Sequence, residues 1–218
     1  MNAITLLKAD HHAVRELFGK IEKAGADARA KKPLVEKLIR ELSVHSAIEE
    51  QIFYPEVKKN VPNAAATVLF SLEEHSIVKW ACSALDSMSP SDPRYDAKIK
   101  VLREISVHHF EEEEGFFPRV RDALGAARLN ELGTQLEHAK KSAPTRPHPR
   151  LGDEPPANVV LGIGASMVDL ARDAGRALLR RSTQTARSVS TKAKNVENGA
   201  QVKRRRAAPQ RRRAHAGA

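Results

Sequence analysis

Four segments of the first 118 residues repeat apolar side chains at helical spacing, and each carries a histidine within its apolar stripe. Because a stripe with this period faces the core, the histidines are expected to lie inside a helical bundle. Connections rich in Gly, Ala, Pro or Ser separate the segments and predict an all-α, up-down-up-down four-helix bundle. The four histidines are His11, His45, His75 and His108.

Charge divides the chain into two parts. Residues 143–218 hold 16 of the 37 basic and five of the 27 acidic residues, a balance of +11, which leaves 21 basic and 22 acidic residues, or −1, for residues 1–142. We therefore assign residues 1–142 to the bundle, with an extra C-terminal helix from Leu124 to Lys141. Proline positions predict a linker at 143–157, and an apolar stripe predicts an amphipathic helix at 158–181. Residues 182–218 are expected to form a basic, largely disordered tail.

The bundle segment contains an internal repeat. The sequence from His45 to Pro55 matches the sequence from His108 to Pro118 at an offset of 63 in the numbering, while an offset of 64 relates His11 to His75. Such a repeat suggests two related helix hairpins that assemble with pseudo-twofold symmetry. Equivalent residues would then meet at a shared centre.

Two helical turns each pair a histidine with a glutamate four residues later. His45 precedes Glu49, and His108 precedes Glu112, so each pair directs an imidazole and a carboxylate to one side of its helix. Burial of an ionised carboxylate is costly unless a cation compensates its charge. Nitrogen and carboxylate ligands without thiolates favour two iron ions, with manganese or zinc ranked behind. The predicted metal ligands are His11, His45, Glu49, His75, His108 and Glu112.

Neighbouring residues leave one alternative open within this ligand set. His109 could pair with Glu113 in place of the preceding histidine, although the offset of 63 favours His108. We also consider residues that could support the ligands by hydrogen bonding or by limiting access of water. The candidates for this supporting role are Glu50, Tyr54, His109 and Glu113.

The motifs around these histidines resemble the hemerythrin-like HHE cation-binding family over about residues 1–140. The resemblance implies a non-heme, oxo- or hydroxo-bridged di-iron centre that reacts with O2, H2O2 or NO. Oxygen-carrying hemerythrins have a fifth histidine where this chain offers Glu112, which argues against simple oxygen storage. We therefore expect a protein that binds or senses a small oxidant, or iron itself. The alternative is a catalase-like enzyme that removes H2O2.

The basic tail supports a third reading, in which the protein binds nucleic acid nonspecifically or contacts another anionic surface. The candidate residues are Lys203, Arg204, Arg205, Arg206, Arg211, Arg212 and Arg213. No segment has the length and hydropathy of a transmembrane helix or signal peptide, and the single cysteine, Cys82, suits a reducing compartment. Both features predict a cytoplasmic location.

Overall fold

The computed structural model describes residues 1–150, 167–169 and 171–175, and all regular structure within them is helical. The predicted all-α bundle is confirmed. The chain divides into two compact units, Met1–Leu170 and Ala171–Ala218. The elements of the bundle are α1 (Ala3–Lys23), α2 (Ala28–Ile48), a π-helical turn (Glu49–Phe53), α3 (Tyr54–Asn60), α4 (Ala65–Ser87) and α5 (Tyr95–Lys140).

Side-chain caps define where the first two helices begin. The Asn2 carboxamide oxygen accepts a hydrogen bond from the Thr5 backbone amide at 2.9 Å. The Asp27 carboxylate accepts hydrogen bonds from the backbone amide of Arg29 at 2.9 Å and from that of Ala30 at 3.2 Å. Such caps satisfy amides that have no partner within the helix. The second helix therefore begins at Ala28, and Pro33 lies inside it.

Two apolar clusters fill the bundle, one on each side of the histidine layer. One cluster includes Leu38, Leu42 and Leu102, and the other includes Leu7 and Ile48. In α1, α2 and α4 the histidines lie between residues of one cluster and residues of the other along the helix. The two clusters enclose a polar layer and separate it from the ends of the bundle.

A glycine divides α5 into a bundle helix and the predicted extra helix. Gly125 has φ 70° and ψ 168°, a left-handed conformation that is strained for other residues. The chain changes direction there, and the following segment buries Leu129, Leu132 and Leu136 in the cluster that contains Leu7. The extra helix therefore covers one end of the core.

The residues after α5 continue along the bundle. Arg146 is buried and its guanidinium donates a hydrogen bond to Asp86 at 3.0 Å. The buried Asp169 carboxylate accepts bonds from the backbone amides of Thr145 and Arg146, each at 3.0 Å. The first part of the predicted linker is thus held by specific contacts.

Most of the predicted amphipathic helix and the whole basic tail lie outside the described residues. Residues 167–169 and 171–175 are helical, and the side chain of Met167 is exposed. Among the helices that the structure describes, none combines the length and hydropathy needed to cross a bilayer.

Two glycine substitutions should have opposite effects on stability. A Cβ at Gly133 would lie 2.0 Å from the Met1 carbonyl oxygen and 2.9 Å from the Ala3 nitrogen, so Gly133→Ala should displace the N-terminus and lower the free energy of unfolding. Gly19 has no such neighbour within 4 Å, and Gly19→Ala should stabilise α1 by about 0.5–1 kcal/mol. Urea unfolding of both variants measures the two effects, and equal behaviour would contradict the proposed close contact.

Candidate metal centre

Each of the four long helices contributes one buried histidine to the middle of the bundle. His11 comes from α1, His45 from α2, His75 from α4 and His109 from α5, and all four are at most 2% exposed. Two buried glutamates face the same space. They are Glu49, in the π-helical turn, and Glu113, one turn after the α5 histidine.

These side chains form two groups of closely spaced ligand atoms. His11, His45, Glu49 and Glu113 offer atoms within 4.8 Å of one another, and Glu49 forms a second such group with His75 and His109. Glu49 thus belongs to both groups. Its carboxylate lies 3.2 Å from His45 Nε2 and 3.4 Å from His75 Nε2. A carboxylate shared in this way suits a bridge between two cations.

Carboxylates behind the histidines orient the imidazole rings. A carboxylate can only accept a hydrogen bond, so the Nδ1 atoms of His11, His75 and His109 donate and these rings direct Nε2 to the centre, whereas His45 Nδ1 lies beyond hydrogen-bond distance of Asp10. The Nδ1 contacts are His11 with Glu114 at 2.9 Å, His75 with Glu50 at 3.0 Å, His109 with Glu74 at 2.7 Å, and His45 with Asp10 at the longer distance of 3.7 Å.

Basic side chains hold three of these outer carboxylates in place. Arg15 donates to Glu114 at 2.8 Å, and Lys79 donates to Glu50 at 2.7 Å. Lys140, from the extra helix, donates to Asp10. These cations offset negative charge at the edge of the layer and restrict the carboxylates that orient the rings.

The two halves of the centre are related by one constant offset of 64 in the numbering. This offset relates His45 to His109 and Glu49 to Glu113. It also relates the two outer ion pairs, because Arg15 corresponds to Lys79 and Glu50 corresponds to Glu114. Pseudo-twofold symmetry therefore extends beyond the inner side chains. The related inner and outer pairs are His11 and His75, His45 and His109, Glu49 and Glu113, Glu50 and Glu114, and Asp10 and Glu74.

Unpartnered polar atoms show that these residues fit a bound cation. Both carboxylate oxygens of Glu49 and of Glu113 are buried without a hydrogen-bond partner, as are the Nε2 atoms of His11 and His45. Burial and the nearby charge of Glu113 raise the pKa of Glu49 well above its usual value. Burial lowers the pKa of His75 and of His45, so both rings stay neutral. Divalent metals require neutral imidazoles and deprotonated carboxylates, so a bound cation would displace the proton that the raised pKa favours on Glu49.

The contact between two histidines supports the same conclusion. His75 Nε2 lies 3.1 Å from His109 Nε2, although both rings direct their Nδ1 protons at carboxylates. Two lone pairs would therefore face each other. Ligand nitrogens at about 2.1 Å from one ion, at right angles, are about 3 Å apart, so a shared cation fits this spacing.

The structure does not bring His108 and Glu112 into this layer, contrary to the sequence prediction. Their side chains are 61% and 48% exposed. One residue along an α-helix corresponds to a rotation of about 100°, so the neighbouring positions, His109 and Glu113, point inward instead. The buried stripe of α5 is Ile99, Leu102, Ser106, His109, Glu113, Phe117 and Val120.

The π-helical turn explains why the repeat favoured His108 over His109. It places one additional residue in the Glu49–Phe53 turn, whereas α5 is α-helical at the related positions. After this turn, Tyr54 corresponds to Phe117 at an offset of 63, while the preceding histidines and glutamates correspond at 64. The separation of His11 and His75 by 64 was the sequence signal that could have identified His109 and Glu113.

The remaining candidates lie around the centre. Glu50 orients His75, and the Tyr54 hydroxyl lies 3.5 Å from His75 Nε2. Burial, reinforced by the charges of Glu113 and Glu49, raises the pKa of Tyr54 well above its usual value, so the phenol remains protonated. Phe110 stacks on His11 with ring centroids 4.1 Å apart and limits the access of water. Cys82 lies deeper in the core, where burial raises the pKa of its thiol to about 12.

The fold and this centre define a class of metal-binding helical bundles, and comparison with known families agrees. The model for the hemerythrin HHE cation binding domain matches residues 2–120, and the chain belongs to that family.

Three comparisons extend the relationship. A crystal structure of a hemerythrin HHE cation-binding domain-containing protein from Mycobacterium kansasii shares 26% identity and a TM-score of 0.56, over 65% of this chain and 89% of that one. An uncharacterized hemerythrin-like protein of Schizosaccharomyces pombe is 27% identical over 63% of this chain and 68% of its own length. A protein of Nostoc sp. named a DNA nickase is 24% identical over 67% of this chain, and this match spans 41% of the Nostoc protein.

Substitution of the two adjacent α5 histidines distinguishes the two registers. His109→Ala removes an inward nitrogen ligand and should reduce the bound iron to fewer than two ions per chain. His108→Ala alters an exposed side chain and should leave the iron content at equilibrium unchanged. Metal analysis after anaerobic loading and dialysis measures both, and the reverse result would restore the register predicted from the sequence.

Proposed function

We propose that residues 1–142 hold two iron ions and use them to bind or sense a small oxidant such as O2, H2O2 or NO. The observation that carries this proposal is the buried, symmetric set of four imidazoles and two unpartnered carboxylates. The proposed ligands are His11, His45, Glu49, His75, His109 and Glu113. Iron is preferred to manganese or zinc because nitrogen-rich, carboxylate-bridged sites suit its redox chemistry.

The protein's own residues would fix the metal geometry and leave room for one small ligand. Two iron ions would supply reversible one-electron chemistry and coordination positions that the six side chains leave open. The outer carboxylates keep the imidazoles oriented, and Phe110 and Phe117 exclude bulk water from one side. A pocket of about 30 Å³ reaches Tyr54 and Glu113 from the surface. This volume suits a molecule of two or three atoms rather than an organic substrate.

The position of Tyr54 favours a second candidate function, the removal of H2O2. Its hydroxyl lies beside His75 and lines the same pocket as Glu113. A phenol there can donate a hydrogen bond, or a proton, to an oxygen atom that enters the pocket. This arrangement supports peroxide turnover in addition to simple binding.

The first experiment measures iron and its response to oxidants. The full-length protein, loaded with Fe2+ without oxygen, should retain two ions per chain and change its near-ultraviolet absorption when H2O2, O2 or NO is added. A single stoichiometric change supports binding or sensing, whereas sustained O2 release from H2O2 supports the enzyme. Glu49→Ala removes the carboxylate that both ligand groups share and should abolish retention of the pair. An unchanged spectrum with every oxidant would contradict the proposal.

Tyrosine substitution tests the role of the pocket hydroxyl. Tyr54→Phe should keep both iron ions but slow the reaction with H2O2 by at least about tenfold, because the hydrogen-bond donor is lost. Tyr95→Phe is the matched control, since Tyr95 is the chain's other tyrosine and lies buried in the apolar cluster distant from the pocket. Stopped-flow absorption gives the rates. Equal rates in the wild type and Tyr54→Phe would exclude the proposed donor.

Nucleic-acid binding remains a separate proposal for the basic tail, supported by its charge and by the name of the Nostoc relative. If the tail contacts phosphates, replacing Arg211, Arg212 and Arg213 by Gln should weaken binding to duplex DNA and reduce its salt dependence. A variant with three exposed bundle lysines replaced controls for net charge. These lysines are Lys23, Lys32 and Lys37. Equal DNA affinity of the two variants, measured by fluorescence anisotropy across salt concentrations, would argue against a tail interface.

A further inference from the structure

We propose that His108, Glu112 and Glu74 form an external cation-capture site through which ferrous iron enters the bundle. The inference rests on the proposed di-iron centre and adds a second, exposed site that serves it. Ligand atoms of these three residues all lie within 4.8 Å of one another. One imidazole and two carboxylates from α4 and α5 form a donor set suited to Fe2+.

Glu74 connects the exposed site to the buried centre. One of its carboxylate oxygens accepts a hydrogen bond from His109 Nδ1 at 2.7 Å, and the side chain is 10% exposed. His108 and Glu112 lie next to it, with His108 Nε2 3.4 Å from a Glu112 oxygen. A cation held by the exposed group would therefore lie one side chain away from an inner histidine.

A pocket beside Glu112 supplies the path inward. The exposed Glu112 and the buried Glu113 both line this pocket of about 30 Å³, between the π-helical turn, α3, α4 and α5. Neither oxygen of Glu113 accepts a hydrogen bond, and one of them lies 3.1 Å from His11 Nε2, so the inner part of the pocket presents a carboxylate. A water-sized particle needs only about 10–15 Å³. A cation released at the outer residue therefore has both space and an attractive charge ahead of it.

Because apolar side chains line much of the pocket, a cation is expected to bind more strongly at the centre than within the pocket. Phe53, Val57, Val68 and Phe116 line the passage and offer no metal ligands. The strong ligands are concentrated at its two ends: exposed His108 and Glu112 with the buried Glu74 outside, and the six buried side chains inside. Negative charge at a mouth of this kind raises the local concentration of cations and the rate of their entry.

The chain offers a matched control for the exposed pair. His12 and Glu16 are also exposed, four residues apart on α1, with His12 Nε2 4.0 Å from a Glu16 oxygen. Neither His12 nor Glu16 belongs to a group of ligand atoms found in the described residues, and neither lines the pocket. Their substitution removes the same residue types from a helix surface without affecting the proposed entry route.

The experiment compares rates of iron loading in the full-length chain. Metal-free protein is mixed with Fe2+ without oxygen, a ferrous chelator is added at increasing times, and protected iron is measured. His108→Ala/Glu112→Gln should lower the initial rate by about tenfold, with two ions still bound at equilibrium. His12→Ala/Glu16→Gln should load like the wild type.

Three outcomes overturn the entry route and can be distinguished. Loading of the His108→Ala/Glu112→Gln variant at the wild-type rate would exclude the capture site while leaving the buried centre intact. A lower final iron content in this variant would identify the pair as ligands of the centre rather than an entrance. Failure of the wild type to retain two ions would refute the proposed centre itself, and the route with it. Thermal unfolding of the metal-free variants controls for folding, since both substitutions lie at exposed positions.

Discussion

The buried carboxylates of Glu49 and Glu113 impose the strongest constraint on this structure. Both are enclosed between two apolar clusters, and their oxygens lack hydrogen-bond partners. An unpaired carboxylate in such surroundings costs several kcal/mol. Burial and repulsion from neighbouring imidazoles lower the pKa of His45 and of His75, so these neutral rings cannot provide the missing positive charge. Cations bound in this layer would offset that cost and so stabilise the folded bundle.

The outer carboxylates explain how a site with so many polar groups remains ordered. Each histidine faces a carboxylate through Nδ1, and the two best-matched carboxylates, Glu50 and Glu114, are held by Lys79 and Arg15. From the surface to the centre, a basic side chain contacts a carboxylate, and the carboxylate contacts an imidazole. The imidazole then faces the space for the metal. Since the two halves repeat this order at one constant offset in the numbering, the pseudo-symmetry constrains orientation as well as position. A duplicated hairpin can supply two equivalent metal positions in this way.

The sequence predicted the helices, the bundle and the ligands proposed on α1, α2, the π-helical turn and α4, but it placed the α5 contribution one residue too early. Apolar residues occur on more than one face of α5, and one of them, Val101, is exposed. The helical period of the apolar residues alone could not decide which of two faces of α5, about 100° apart, points to the core. The π-helical turn added a second difficulty, because one extra residue changes the repeat offset without changing either motif. The offset of 64 between His11 and His75 favours His109 and Glu113, and the proximity of Glu49 to His109 in the structure agrees with that offset.

The same rotation that removes His108 and Glu112 from the core places them where a buried site most needs exposed ligands. A layer closed by Phe110 on one side and by two apolar clusters above and below is accessible to a hydrated ion along few directions. The pocket that reaches Glu113 is one such direction, and Glu112 lies at its outer end. Consecutive glutamates on α5 therefore face solvent and centre in turn, so that one turn of helix presents carboxylates both outside and inside the bundle. Three of the four consecutive glutamates thus have a geometric role: Glu112 lies at the outer end of the pocket, Glu113 faces the centre and Glu114 orients His11.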